Sequence, residues 1–138
     1  MPERFETRSL PAQPDARAPD GSDVRILLQL QGGSMAHFEL GPGQTSTAVT
    51  HRTVEEIWCF LSGRGEMWRK QHGQDGQEAQ EEIVAVEAGV CLTIPVGTHF
   101  QFRSFDDQSL IAVGVTMPPW PGEDEAVVVA GVWTPTVP

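Results

Sequence analysis

Short apolar or alternating runs, separated by turns rich in glycine and proline, make up the chain from about residue 23 onward. Runs of about four to eight residues at this spacing predict short strands, and no stretch shows a convincing helical period or a tandem repeat. The pattern therefore predicts an all-β fold, an antiparallel sandwich or barrel of about nine or ten strands. The runs span residues 24–30, 35–40, 45–50, 57–61, 66–69, 82–86, 90–94, 100–103, 109–116 and 126–133.

Residues 1–22 lack this pattern. They are polar and contain four prolines, which predicts a flexible or extended N-terminal arm. Residues 23–138 have the usual length of one domain and are predicted to form a single barrel. Within it, the polar, glycine-rich stretch 71–82 predicts a long exposed hairpin loop.

The run 57–61 is apolar on both faces. Because side chains alternate along a strand, one face lines the barrel and the other requires a second sheet or a partner subunit to cover it. We therefore expect a homodimer. The first face carries Glu56, Trp58 and Phe60, and the second carries Ile57, Cys59 and Leu61.

Charge and cysteine content narrow the function classes. The 138 residues carry a net charge of -10, which argues against a nucleic-acid partner because a phosphate backbone would be repelled. No apolar run approaches the roughly 18 residues of a membrane span, and no secretory apolar segment is visible near the N-terminus. Cys59 and Cys91 form no CxxC motif and are predicted to be buried free thiols, which favours a reducing cytoplasm.

The segment from Gly43 to Gly63 carries the candidate chemistry. It resembles the first motif of the cupin superfamily, which is a glycine, five residues, His-x-His, three or four residues, a glutamate, six residues and a glycine. In this register His51 occupies the second histidine position and Glu56 the glutamate position. Val49 occupies the first histidine position, where it cannot bind a metal.

A second segment resembles the other cupin motif. Gly89, Pro95 and Gly97 match its glycine-proline framework without a gap, whereas Phe100 stands in the histidine position and His99 lies one residue early. Ser104 stands in the position that the motif gives to asparagine. The resemblance covers roughly residues 26–116 and implies an antiparallel double-stranded β-helix, or jelly-roll barrel.

Metal-dependent cupins bind a divalent ion through three histidines and one glutamate. The resemblance therefore implies a possible iron, manganese, nickel or zinc site at His51 and Glu56, with His99 or His37 as a third ligand. Strict alternation directs His99 outward, and a bulge after Thr98 would turn it inward. Without a metal, His51 and Glu56 would hydrogen-bond each other or a ligand.

The inward positions also include four large aromatic side chains. These either pack the core of a small barrel or line an apolar cavity for a small molecule. Trp120, between prolines, is a candidate lid over the barrel mouth or a contact with a partner subunit. The four candidates for the ligand pocket, besides His51 and Glu56, are Trp58, Phe60, Phe100 and Phe102.

Three functions fit these features. The first is a small-molecule-binding cupin with a reduced or absent metal site near His51 and Glu56, and we adopt it as the prediction. The second is a metal-dependent enzyme of the dioxygenase, isomerase or decarboxylase type, using His51, Glu56 and either His99 or His37. The third is a structural or regulatory dimer with a filled barrel. A tyrosine-dependent epimerase is disfavoured because the chain contains no tyrosine.

Overall fold

Two antiparallel sheets form the protein, in a computed structural model that describes residues 3–73, 76, 78–105 and 107–138. In the described residues the strands are β1 (Ala16–Arg17), β2 (Asp23–Leu30), β3 (Gly33–Leu40), β4 (Val49–His51), β5 (Glu55–Ser62), β6 (Arg64–Gln71), β7 (Gln80–Glu87), β8 (Cys91–Ile94), β9 (His99–Ser104), β10 (Leu110–Met117) and β11 (Ala126–Val128). A single 3-10 turn, Glu123–Glu125, precedes β11.

The strand order identifies the fold. One sheet has the order β1-β2-β3-β10-β5-β8 and the other has the order β11-β4-β9-β6-β7. Strands distant in sequence, such as β3 and β10 or β4 and β9, are neighbours and pair antiparallel. This winding is the jelly roll, so the predicted all-β, antiparallel double-stranded β-helix is confirmed.

Glycine is required at the corner between β5 and β6. Gly63 has a φ of 80°, and a Cβ added there would overlap the carbonyl oxygen of Ser109 on the neighbouring chain segment. Gly89 has a similar φ of 94° but faces open space. Both corners need glycine because their φ angles are positive. Gly63 needs it for a second reason, which is the close approach of the Ser109 backbone.

The barrel interior is packed with aromatic side chains. Trp58 stacks on Phe38 with ring centroids 4.7 Å apart, and Phe102 meets the Trp58 ring edge-on at 5.3 Å. Edge-to-face and offset pairs of this kind add to the stability from burial alone. Trp58, Phe60, Phe100 and Phe102 are each only 1% exposed. These side chains fill the space between the sheets.

The C-terminal strand is shorter than predicted. Pairing with β4 covers only Ala126–Val128, not the predicted 126–133, and the chain then crosses the five-stranded sheet without a ladder. The buried Gln101 side chain replaces that ladder. Its Nε2 donates to the Ser46 and Trp133 carbonyls, and its Oε1 accepts from the Val132 and Trp133 amides. One amide side chain thereby satisfies the backbone groups that a strand partner would otherwise serve.

Part of the predicted N-terminal arm lies against the barrel. Ala16–Arg17 pairs with β2, and Arg25 Nε donates to the Pro11 carbonyl. Asp20 and Ser22 are buried and bonded to each other. The predicted hairpin loop is tighter than expected, since β6 and β7 pair as far as Gln71 and Gln80. Its residues 74, 75 and 77 lie outside the described residues.

The outer face of the six-stranded sheet is exposed at β5. Ile57 is 50% exposed and Leu61 is 48% exposed, so the described residues leave the apolar face that motivated the homodimer largely uncovered. The homodimer stays a prediction. On this face Cys59 is half-buried and Cys91 is exposed, which corrects the expectation of two buried thiols. Among the described residues, no helix is long and apolar enough to cross a membrane.

Gly63→Ala tests the close approach at the β5–β6 corner. We expect it to lower the free energy of unfolding by about 3 kcal/mol, because the new methyl group must displace backbone. Gly89→Ala is the matched control and should cost only about 1 kcal/mol, the penalty for a positive φ alone. Urea unfolding of both variants gives these values, and equal losses would contradict the packing of Gly63 against Ser109.

Candidate functional site

A histidine and a glutamate meet at one end of the barrel. His51 ends β4 and Glu56 lies near the start of β5, and both side chains point inward from opposite sheets. The His51 Nδ1 atom is 3.7 Å from Glu56 Oε1, and both side chains are at most 5% exposed. The two residues that match cupin ligand positions therefore share one enclosed space.

Glu56 is held by two other side chains. Its Oε2 accepts a 2.5 Å hydrogen bond from Thr116 Oγ1, and its Oε1 accepts one of 3.1 Å from Trp58 Nε1. His51 Nδ1, in contrast, has no hydrogen-bond partner among the residues that the structure describes, because 3.7 Å is too long for a hydrogen bond to Glu56. The glutamate is fixed in place while one imidazole nitrogen remains free.

Burial favours the neutral form of both groups in this pair. Desolvation raises the pKa of Glu56 to about 7, against the opposing effect of the Thr116 and Trp58 hydrogen bonds. Desolvation also lowers the pKa of His51 to about 4, although the nearby Glu125 carboxylate favours its charged form. The short distance alone would suggest an ion pair, but the cost of burying two charges favours a neutral imidazole beside a partly protonated carboxyl.

Trp120 closes this end of the barrel. Its ring lies edge-on to the His51 ring, with centroids 5.1 Å apart, and Phe100 meets the same imidazole from another side at 5.2 Å. The Trp120 backbone N–H donates to Ser34 Oγ, and the residue is half-buried. Trp120 thus contacts the buried imidazole, and its two predicted roles, a lid over the barrel mouth or a contact with a partner subunit, stay predictions.

The predicted metal ligands do not assemble. His99 pairs with Thr50 on β4 and Lys70 on β6 in an unbroken register, so no bulge turns it inward. Its ring packs against His72 on the outer face, with centroids 4.8 Å apart. Within the described part of the chain, no group of three histidine, cysteine, aspartate or glutamate side chains is placed to hold an ion. The predicted His51, Glu56 and His99 site therefore does not fit the structure.

His37 does not supply the missing ligand either. It lies opposite Arg25 and Val113 on the outer side of the six-stranded sheet, whereas Glu56 lies on the inner side. Period-two alternation explains both failures, because a residue one position out of register faces the opposite side of its sheet.

The four aromatic pocket candidates are core residues. Trp58, Phe60, Phe100 and Phe102 pack on one another and line neither of the two best-formed hollows. The ligand pocket predicted among them is thus filled by their own side chains. This result removes the version of the small-molecule hypothesis in which the ligand sits in the centre of the barrel.

A hollow of about 130 Å³ opens near the turn that contacts His51. It lies between β6, β7 and the turn that joins β8 to β9. Most of its wall is polar. The lining residues are Arg69, Lys70, Gln71, Gln80, Glu82, Thr93, Pro95 and Thr98.

The turn between β8 and β9 connects the hollow to the buried pair. His99, the first residue of β9, pairs with Thr50 on one side and with Lys70 on the other. The Gly97 amide donates to the His51 carbonyl, one position out of that register, so the turn that carries Thr98 lies against His51. Thr98 lines the hollow, and its buried hydroxyl has no hydrogen-bond partner among the described residues.

Arg69 is the functional candidate that sequence reasoning missed. It pairs with the inward-facing Phe100 and so points to the interior. Its guanidinium donates to the Thr93 carbonyl and to Glu82, while its Nε atom is buried without a partner. The sequence did contain a signal for this. Arg69 lies two residues after Met67 on the same strand, so alternation directs both side chains to the same face.

A second hollow, of about 370 Å³, lies around Gly43, Ser104 and Arg103. Its charged group is already occupied, because Arg103 donates twice to Glu66 and stacks on the Trp133 ring. Its polar groups thus have partners within the protein, unlike those of the hollow beside His51.

Solved structures share this architecture at low sequence identity. Peruvianin-I, a cysteine peptidase from Thevetia peruviana latex, aligns with a TM-score of 0.66 and 15% identity over 84% of this chain and 71% of its own. An uncharacterized Klebsiella pneumoniae protein with a double-stranded β-helix domain gives 0.61 and 16%, over 84% of this chain and 90% of its own. An oxalate oxidase in complex with glycolate gives 0.66 and 23%, over 89% of this chain and 62% of its own.

These likenesses establish the fold. The chain has the double-stranded β-helix fold that its two glycine-proline motifs implied, and the resemblance is confirmed at the level of the fold. No protein-family model and no curated protein sequence matches the chain.

The two buried groups contribute opposite slopes to the pH dependence of stability. The pKa of Glu56 is raised from 4.5 to about 7, so the folded state holds this proton more tightly and the free energy of unfolding falls as pH rises through that window. The pKa of His51 is lowered from 6.5 to about 4, so its contribution to that free energy rises with pH between these values. In the intact pair the two slopes oppose each other.

Glu56→Gln should remove only the falling slope. We expect its free energy of unfolding, relative to the unmodified protein, to increase between pH 4.5 and 7 by on the order of 1–3 kcal/mol. His51→Asn should show the reverse trend between pH 4 and 6.5. Urea unfolding across this range measures both differences, and parallel pH profiles for all three proteins would contradict the neutral buried pair.

Proposed function

We propose that this protein is a small-molecule-binding cupin whose ligand enters the polar end of the barrel. The observation that supports this proposal is a cluster of unsatisfied polar atoms. In the described part of the chain, five buried side-chain atoms lack a hydrogen-bond partner, and three of them, His51 Nδ1, Arg69 Nε and Thr98 Oγ1, lie at this end. Each such atom costs about 1–3 kcal/mol, so three together require a purpose.

The ligand is proposed to carry a negative charge. Arg69 and Lys70 line the hollow against the single carboxylate of Glu82, in a chain whose net charge is -10. Arg69 already donates to Glu82 and Thr93, and its remaining Nε donor suits one oxygen of a carboxylate. The 130 Å³ volume limits the bound part to a few non-hydrogen atoms.

The His51–Glu56 pair forms the proposed inner wall of this site. Thr98 lines the hollow on the turn that contacts His51, and Trp120 contacts the His51 ring. Movement of Trp120 would give a ligand access to a free imidazole nitrogen and to a carboxyl group with a pKa of about 7. Such a pair is able to accept or donate a proton near neutral pH, which is the chemistry this site offers if the protein is an enzyme.

Glycolate is a suitable first probe. It carries one carboxylate and one hydroxyl in five non-hydrogen atoms, which fits the volume and the paired Arg69 and Thr98 donors. One structural neighbour, the oxalate oxidase, is solved with glycolate bound. At 23% identity that neighbour supports the choice of probe and nothing further about this chain.

Titration of the ¹⁵N-labelled protein with sodium glycolate tests the proposal. We expect the amide signals of Gln71 and Thr98 to shift. Arg69→Gln should weaken the apparent affinity about tenfold, which corresponds to about 1.4 kcal/mol. Arg64→Gln is the control, because this arginine lies on the same strand with a side chain 60% exposed outside the hollow. Unchanged spectra, or equal affinity in Arg69→Gln, would favour the filled structural barrel instead.

Thr98→Val separates binding from stability. The buried hydroxyl has no partner, so its removal should raise the free energy of unfolding by about 1 kcal/mol while it weakens glycolate binding. Thr116→Val is the matched control, since that hydroxyl is bonded to Glu56 and its loss should destabilise the protein. Denaturant unfolding measures both, and a destabilised Thr98→Val would show that the hydroxyl serves the fold.

A further inference from the structure

Two cysteines lie directly opposite each other at one edge of the six-stranded sheet. Cys59 on β5 pairs with Cys91 on β8, and both side chains point to the outer face, away from the aromatic core. They are 32 positions apart in sequence and form no motif. The antiparallel register alone brings them together.

The hydrogen-bond pattern places these cysteines in the closer of the two kinds of antiparallel pair. The Phe60 amide donates to the Val90 carbonyl at 2.9 Å, so the adjacent Cys59–Cys91 pair belongs to the non-hydrogen-bonded class. In that class the Cα atoms are about 4.5 Å apart. Disulfides span Cα separations of about 4.4–6.8 Å, so the backbone accepts a bridge without rearrangement.

A contact elsewhere on β8 supports this assignment. Two residues further along, Ile57 pairs with Thr93, and alternation puts this pair in the same class. The Thr93 carbonyl should then point away from β5, toward the open edge. It does so, because it accepts a hydrogen bond from Arg69 Nη1 on the other sheet.

Both thiols are available for reaction. Cys91 is exposed and Cys59 is half-buried, and each Sγ lies 3.8 Å from a nearby backbone carbonyl. The neighbouring Cys91 thiol raises the pKa of Cys59. Because Cys91 is the more accessible of the two, it is the attacking thiol and Cys59 the resolving thiol.

We propose that Cys59 and Cys91 are a dithiol site that a small-molecule disulfide converts reversibly to a cross-strand disulfide. The Cys91 thiolate attacks one sulfur of the oxidant, RSSR, and releases one thiolate, RS⁻. The Cys59 thiolate then attacks the Cys91 sulfur of the mixed disulfide and releases the second RS⁻. Two electrons pass from the protein thiols to RSSR, the two cysteine protons end on the two RSH molecules, and an added thiol reverses both steps.

The bridge would act on a strand that has one partner. β8 is the edge of its sheet and pairs only with β5 in the described residues, and it leads directly into the turn that carries Pro95 and Thr98. A covalent link at the start of β8 therefore fixes one wall of the hollow beside His51. The dithiol chemistry itself does not depend on the proposed ligand.

Oxidised glutathione at about pH 8.5, where thiolates are abundant, is the probe. We expect the intact mass of the native protein to fall by two hydrogens, and both thiols to become unreactive toward a thiol reagent. Dithiothreitol should restore both. Hydrogen exchange of β8 should slow in the oxidised form. If the predicted homodimer covers this face, the attack of Cys91 on oxidised glutathione should be slower. The product should still be the Cys59–Cys91 disulfide, because the two cysteines remain neighbours.

Three variants separate this outcome from ordinary surface oxidation. Cys59→Ser should instead retain one glutathione on Cys91. The double variant Ile57→Cys with Cys59→Ser keeps two thiols but places them diagonally, about 7–8 Å apart, and should also retain glutathione. Cys91→Ser checks by circular dichroism that loss of a thiol leaves the fold intact. Glutathione adducts or linked dimers of the unmodified protein, or no reaction at all, would overturn the proposal.

Discussion

Side-chain alternation along antiparallel strands is the constraint on which this structure depends. Once the ladders fix the register, every residue is assigned to the interior or to the outer face, and a shift of one position reverses the assignment. Alternation places Trp58 and Phe102 in the packed interior. It also makes His51 and Glu56 face each other at the polar end of the barrel. The same rule sends Cys59 to the outer face, opposite Cys91.

The sequence was sufficient to predict the fold and the meeting of His51 with Glu56, because glycine and proline punctuation sets the hairpin corners. Gly63 shows why, since both its φ and its closeness to Ser109 exclude other residues. The sequence was not sufficient to predict the hollow lined by Arg69 and Thr98. Arg69 resembles a solvated base until its pairing with Phe100 is known, and that pairing joins strands some thirty residues apart. The last strand is shorter than predicted because the side chain of Gln101, about thirty residues earlier in the chain, bonds to the backbone where strand pairing was expected.

The barrel divides its interior between stability and function. Its middle is dry and aromatic, with little room for a ligand, while its polar end keeps buried donors and acceptors without partners. A protein selected only for stability would satisfy or remove these atoms, as it does for Glu56 with Thr116 and Trp58. Arg103 donates to Glu66 through Nε and Nη2 and is partly exposed, whereas Arg69 keeps a buried Nε without a partner among the described residues.

The polar end of the barrel is proposed to bind a small anionic molecule through the free donors of Arg69 and Thr98. A high-resolution crystal structure of the protein grown with glycolate tests this binding mode. We expect density for a carboxylate within hydrogen-bond distance of Arg69 Nε and for an oxygen at Thr98 Oγ1. Density for glycolate elsewhere only, or side chains of the protein bonded to those two atoms, would contradict it.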